Sequence, residues 1–511
     1  MNQRKIGVLL SYAIMGTQSL IALIYVPMLL HYLTQTQYGI YQLMGSVIAY
    51  LSIMEFGLAN TTTRYVSRCL ATKDYEQLKQ VIGTSHTIYL IIAVGLLFLG
   101  TIFYFCIDPV YSRTLSAEEL YIAKQVYLIM LVNITVLIQT NIFTAVINAH
   151  EHFIFVRGIN LLKIILQPLL VWAILSWKAS VLNVVLAQSV CIWGVIIVNY
   201  LYCKYKLKLS FPFQFSKTPL FKELTGFSIF IFLHMLMDQV YWKSGQLILG
   251  AVSGAAAVAI YAIAMQVATF AVGFPSMMSS VFLPKLSASV AVKNDLNYIN
   301  TLFCKIGRLQ FMLLMLIITG FIFLGKTFLS LWIGNGYGIV YWLVLIIMSG
   351  YMFDVIQSIG IAVLQAMKKH AFRAYVYTTM AVLNICLAIP LSKIYGTVGC
   401  AVSTAFCLIL GTGLAINWYY WRIGINIKQF FKDIGKIFPS IILCIFAIGC
   451  LFYIWPLRQT ILSFLLHAIV LILIYIVVLW GFVFNEYEKK LFSQPFIVIK
   501  NFFHSHLPTV K

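Results

Sequence analysis

Charge is scarce in this sequence. Of 511 residues only 10% are charged, and the acidic ones number 14 against 35 lysines and arginines. A soluble domain carries roughly 25% charged residues. With 62% of the chain hydrophobic, too little polar surface remains to cover an aqueous core of this size, so the solvent for most of the chain is lipid. Alternating ten-residue segments of the kind that build a membrane β-barrel are missing as well. The apolar runs are instead about 20 residues or longer, which predicts helices.

Other absences narrow the chemistry. The ten cysteines form no CxxC pair and are scattered in or beside apolar runs, Cys69, Cys191, Cys304 and Cys444 among them. They read as small apolar residues, not as a disulfide or metal framework. His150-Glu151-His152 and His504/His506 lack the further ligands a metal needs. No glycine-rich loop is present to cradle a nucleotide phosphate, which argues against direct ATP use. No loop on the expected outer side is long enough to carry a catalytic domain, and no nucleophile–base pairing is readable.

What is present is a series of about fourteen spans, near 7–33, 38–66, 79–106, 121–148, 156–177, 180–203, 224–249, 254–284, 299–325, 338–367, 370–392, 396–420, 436–455 and 459–484. The first follows Arg4-Lys5 and is too long for a signal-peptide core, so it reads as an uncleaved span. The fold class expected is therefore all-α and polytopic. A net charge of +21 would suit a nucleic-acid binder, but its distribution does not. With the N-terminus inside, 28 of the 35 basic residues fall in or near cytoplasmic segments, against Arg113, Lys124, Lys178, Lys326, Lys393 and Arg458 outside and Lys243 within a span. That asymmetry is the positive-inside pattern; it predicts both termini in the cytoplasm and anionic lipid, not nucleic acid, as the partner of the basic residues.

A weak internal repeat divides the chain. Gly39-Ile40-Tyr41 recurs 220 residues later as Ala259-Ile260-Tyr261, and Ala145-Val146-Ile147-Asn148-Ala149 recurs 217 residues later as Ala362-Val363-Leu364-Gln365-Ala366. Six spans is an even number, so both halves run the same way through the membrane as parallel repeats. The expected organisation is a six-helix lobe at 1–203, a basic linker at 204–223 with Pro212 and Pro219, a second lobe at 224–421, a helix pair at 422–484 and a cytoplasmic tail at 485–511.

Polar side chains are costly in hydrocarbon, so their placement carries functional information. On ideal helices, Asn133, Thr140, Asn141, Thr144 and Asn148 share an arc of about 100°, and Arg157, Asn160, Lys163 and Gln167 one of about 120°. Span seven carries His234, Asp238, Gln239, Trp242, Lys243 and Gln246; span ten carries Asp354, Ser358 and Gln365 on one face. Span two places Gln42, Ser46, Asn60, Arg64 and Ser67 together, with Glu55 nearly opposite. Two readings stay open for these stripes: interhelical hydrogen bonds in a dry bundle, or the wall of a wet cavity. Pro27, Pro168, Pro275, Pro284, Pro390, Gly57 and Gly273 are the expected bends.

Tyr38-Gly39-Ile40-Tyr41, then Met54-Glu55-Phe56-Gly57-Leu58, Arg64-Tyr65 and Lys73-Asp74 resemble the opening of Wzx-type polysaccharide flippases, members of the multidrug/oligosaccharidyl-lipid/polysaccharide exporter superfamily. The resemblance implies two lobes opening alternately to each side of a bacterial inner membrane. Its implied cargo is an undecaprenyl-pyrophosphate-linked glycan, of O-antigen or capsule, and its implied associates are a polysaccharide polymerase and other assembly proteins. On that reading Arg64, Lys163, Lys243, Lys305 and Arg308 are the candidate pyrophosphate cations, and Asn133, Asn141, Asn148 and Gln246 the candidate sugar contacts. Glu55, Asp238 and Asp354 are candidates for coupling to an ion. No bound cofactor is expected, and the sequence leaves a proton or sodium gradient open as driving force. Lipid II flippases resemble the chain around Glu55-Phe56-Gly57 but carry an arginine where this chain has Tyr50. A drug or cation antiporter of the same fold, and a membrane polysaccharide polymerase or ligase, are the remaining alternatives.

Overall fold

A computed structural model describes residues 3–55, 57–213, 236, 239–293, 296–367, 369, 371–490 and 493. Among them every regular element is helical. Twelve segments are long and apolar enough to cross a membrane, and they follow the expected runs. The expected span 224–249 lies largely outside the described residues. The expected spans 370–392 and 396–420 fall in one continuous segment, Ala371–Arg422.

That segment is a hairpin. Its first part, α13 (Ala371–Leu408), has Gly396 at φ 57° and ψ −132°, outside any helical conformation. Ser403 Oγ donates to the Asn384 side-chain oxygen at 2.7 Å, 19 residues away, and a Cβ on Gly399 would overlap the Leu391 carbonyl. Residues this far apart in sequence lie side by side only if the chain reverses, so the two expected spans are present as antiparallel neighbours. A positive φ favours glycine because it has no Cβ to clash.

Contact density divides the chain into two compact units. The first comprises residues 1–267 with 374–407, the second 268–373 with 408–511. In unit 1, α1 (Gln3–Tyr32) packs on α6 (Phe153–Trp177), and α5 (Ala117–Ala149) is central, touching α2 (Gln35–Ser52), α3 (Leu58–Thr72), α4 (Tyr75–Tyr111) and α7 (Val181–Leu201). Short polar turns fix the starts of these helices. Thr34 and Asp74 side chains accept from Gln37 and Gln77 backbone N–H groups, and Ser116 with Glu119 forms a reciprocal capping box. The helix at 239–253, α8, and the first part of α9 (Ala255–Lys293) complete the unit with the α13 hairpin.

Span two is broken as its glycine predicts. α2 ends at Ser52, a 3₁₀ turn covers Ile53–Glu55, and α3 restarts after Gly57 at φ 65°. The break places Glu55 at the junction of two helices and not on a helix flank.

In unit 2, α10 (Leu296–Ile333) is central, against α11 (Gly338–Ile356), α12 (Ile359–Ala366), α15 (Ile427–Gly435), α16 (Phe438–Ile454) and α17 (Ile461–Phe482). The expected single span 338–367 is interrupted here at Gln357–Ser358, between α11 and α12. Gln357 Nε2 donates to Asn417 Oδ1 at 2.8 Å, and Gln310 Nε2 donates to Ser358 Oγ at 2.7 Å and to the Pro275 carbonyl at 3.0 Å. Asn417 in turn donates to the carbonyls of Thr412 and Gly413, inside the π-helical turn Ile409–Ala415 that precedes α14 (Ile416–Arg422). Interrupted helices leave backbone groups without their usual partners, and buried amide side chains here satisfy them.

Candidate functional site

The candidate residues divide into those whose polar atoms are already engaged within their own unit and those that are not. In unit 1, Asn133 belongs to the first class. Its Nδ2 donates to Ser189 Oγ at 2.7 Å and its Oδ1 accepts from Trp193 Nε1 at 3.0 Å, both on α7. Thr144 on the same stripe accepts from Asn199 at 3.2 Å. This part of the stripe is an interhelical zipper between α5 and α7, and the Asn133 amide is engaged in it. Gln246 is also engaged. It is 2% exposed, and its Oε1 accepts from Ser46 Oγ, tying α8 to α2.

Glu55 is half-buried at the break in span two. Asn141 of α5 hydrogen-bonds its carboxylate, and Tyr89 of α4 lies close enough to interact with it electrostatically. Groups from three helices thus act on one another around this break. Asn148 is half-buried; its carbonyl accepts from Glu151 N at 3.0 Å.

The three basic candidates of unit 1 form the second class. Arg64 is exposed on α3, whereas its neighbours Thr63 and Ser67 bond the Ala145 and Ala149 carbonyls of α5. Lys163 on α6 is half-buried and interacts with the Cys191 thiol of α7. Lys243 on α8 is half-buried between the engaged residues Ser244 and Gln246 and the hairpin neighbour Tyr241. Among the described residues none of these three cations has a carboxylate partner. An unpaired ammonium in an apolar span is costly unless water or an anion solvates it.

In unit 2 the candidate groups have partners within the unit. Arg308 is not free to meet a ligand: its Nε and Nη2 form a bidentate pair with Glu488 at 3.0 and 3.2 Å, and its Nη1 and Nη2 donate to the Asp433 and Val483 carbonyls. Glu488 is nearly completely buried. Lys305, one turn earlier, sits 4.6 Å from the Tyr487 ring centroid in a cation–π contact. Asp354, expected to couple an ion, is paired with Arg373 Nη2 at 2.9 Å. These groups compensate one another inside the unit. Asp238 and His234 lie outside the described residues.

Several polar residues the sequence reading passed over are engaged in the interior. Gln188 of α7 donates to the hydroxyls of Tyr25 on α1 and Tyr41 on α2, at 2.9 and 2.8 Å. Gln310, Gln357 and Asn417 line the breaks of unit 2. Each is an amide set in a mainly apolar run, and that is the signal they share.

Among solved structures, the fold is similar to that of the lipid II flippase MurJ in an inward closed conformation, with a TM-score of 0.73 over 96% of this chain and 100% of that one at 16% identity. It is also similar to an inward-facing multidrug resistance MATE transporter of the MOP superfamily, with a TM-score of 0.62 over 80% of this chain and 94% of that one at 14% identity. In sequence it is 24% identical over 395 residues to a Shigella flexneri protein named "Putative O-antigen transporter", covering 75% of this chain and 90% of the relative. Residues 4–290, more than half of the chain, match the family described as "Polysaccharide biosynthesis protein", and the chain belongs to that family.

Proposed function

We propose that the chain is a flippase, carrying an undecaprenyl-pyrophosphate-linked oligosaccharide unit from the inner to the outer leaflet of a bacterial cytoplasmic membrane by alternating access. It is a transporter and not an enzyme. Family membership supports polysaccharide assembly as the setting, and the name of the Shigella relative supports a lipid-linked glycan as cargo. The observation that carries the reading is the trio Arg64, Lys163 and Lys243, cations in or beside spans with no carboxylate partner among the described residues. A pyrophosphate supplies the missing negative charge, and it does so only while the headgroup is aboard. Half-buried Asn148, and Asn141 beside its bond to Glu55, are the candidate contacts for sugar hydroxyls carried forward. Glu55, held by Asn141 beside Tyr89, is the carboxylate on which coupling to a proton or sodium gradient is best tested.

The test is glycan export in cells carrying alanine at Arg64, Lys163 or Lys243. The reading expects each variant to reach the membrane in normal amounts and to display less surface glycan. Arg64→Lys should retain part of the activity, because a mobile headgroup responds to charge more than to the guanidinium fork. Normal export from all three alanine variants, with loss only in Glu55→Gln or Asp354→Asn, would replace this reading with an acidic, antiporter-like site.

A further inference from the structure

The buried pair Arg308–Glu488 joins two elements of the same character. On one side is α15, a nine-residue amphipathic helix. Its buried face, Ile427, Phe430 and Ile434, packs inward, with the Phe430 ring occupying the space where Gly307 lacks a Cβ. Its outer face presents Lys428, Gln429 and Lys432, with Lys436 just beyond, all exposed. On the other side is the helical turn at 486–490. Asn485 and Glu488 close it reciprocally, each side chain accepting from the other's backbone N–H at 2.9 Å. The turn carries Lys489 and an exposed Lys490. Arg308 binds both: the Asp433 carbonyl of α15 through Nη1 and the Glu488 carboxylate through Nε and Nη2.

We propose that α15 and residues 485–490 form one surface that binds the headgroups of anionic phospholipids, with the buried Arg308–Glu488 pair as the bracket that sets the two elements side by side. Charge supports the partner. The Asp433 carboxylate is occupied by Gln429 at 3.0 Å and Lys436 at 3.1 Å, and Glu488 is taken by Arg308. Lys428, Lys432 and Lys490 are left without ion-pair partners among the described residues. Position supports a lipid surface over a free ion. α15 joins two membrane-spanning helices, and the preceding α14 carries exposed Trp418 and Trp421, with Arg422 over the Trp418 ring at 5.5 Å. Exposed tryptophan beside lysine and arginine at the end of a span marks the depth of the headgroups. An amphipathic helix there lies in the interface plane, its apolar face inward and its lysines toward phosphate. This inference holds whatever cargo the protein carries, because it concerns the bulk leaflet.

The test uses the purified full-length protein in lipid-depleted detergent, titrated with phosphatidylglycerol or phosphatidylcholine, with bound lipids counted by native mass spectrometry. Phosphatidylglycerol should bind in preference, and less tightly as salt is raised. The variant Lys428→Gln/Lys432→Gln/Lys490→Gln should weaken that binding by roughly fivefold per lysine. A control variant, Arg113→Gln/Lys178→Gln/Arg458→Gln, removes the same charge at the opposite ends of the spans and should bind as the wild type does. Arg308→Lys keeps the charge but not the fork, and should weaken binding without removing any of the three surface lysines. Equal binding of the two lipids, an unchanged triple variant, or an equal loss in the control would overturn the proposal. So would retention of a pyrophosphate-linked lipid alone, with no phosphatidylglycerol bound, which would make this surface part of the cargo route.

Discussion

Lys243 and Glu488 predict stability changes of opposite sign, and the contrast separates a ligand-binding charge from a structural one. Lys243 is a half-buried ammonium with no carboxylate partner among the described residues. Insertion scales put a lysine at the centre of a span at about 2.5–3.5 kcal/mol unfavourable. Half-burial discounts this, so Lys243→Met, which keeps the length and removes the charge, should stabilise the protein by about 1–2 kcal/mol. Glu488→Ala does the reverse. The Arg308 and Glu488 side chains are 11% and 2% exposed, and removing one partner of a buried pair costs about 3–5 kcal/mol because the other charge stays desolvated. The bond from the Asn485 backbone N–H to the Glu488 carboxylate is lost as well, adding about 0.5–1.5 kcal/mol. Thermal and SDS unfolding in a fixed detergent measure both changes, and surface glycan measures function in the same variants. The reasoning requires Lys243→Met to be more stable and less active. A Lys243→Met protein that unfolds as readily as Glu488→Ala would show that Lys243 is a structural residue, and the cation argument would lose its strongest member.

Three further outcomes follow from the packing. Gly39→Ala should destabilise by about 1–3 kcal/mol, because a Cβ at Gly39 would overlap the Ala255 carbonyl; unfolding of the variant beside Gly45→Ala, which meets nothing within 4 Å, checks it. Asp354→Asn and Arg373→Gln should each cost stability, and the double variant less than the sum, since the 2.9 Å pair is lost only once; a double-mutant cycle reads the coupling. His152 lies between spans, where burial, then His150 and Lys206, hold its imidazole below the usual histidine range, 2.6 Å from the Tyr202 hydroxyl. A group lowered in the folded state stabilises fully above its ordinary value and loses that contribution as pH falls through the lowered one. Stability should therefore drop below about pH 6.5, and His152→Gln should flatten that part of the pH profile.

The helices were legible because lipid demands long apolar runs, and the break at Gly57 because glycine alone tolerates φ 65° there at no cost. The second break was not legible. Val355-Ile356-Gln357-Ser358-Ile359-Gly360 falls inside one expected span, 338–367, and only the distant partners Asn417 and Gln310 show why it is interrupted. The polar stripes were legible as stripes. Periodicity places Asn133 and Asn141 on one arc, but not that Asn133 meets α7 whereas Asn141 meets Glu55. Arg308 shows the same limit in energetic terms. It looked like a cation in need of an anion, and it was; the anion is Glu488, 180 residues away. Lys163 and Lys243 looked alike at the sequence level, and for them no such partner is found among the described residues.

The central claim is tested most directly by translocation in proteoliposomes, with an undecaprenyl-pyrophosphate-linked oligosaccharide placed in one leaflet and its appearance in the other followed by enzymatic accessibility. The account predicts transfer that depends on the protein, that an undecaprenyl lipid lacking the pyrophosphate does not share, and that Lys163→Ala/Lys243→Ala abolishes in a protein still folded and inserted. Transfer that ignores the pyrophosphate, or that persists undiminished in the double variant, would contradict it.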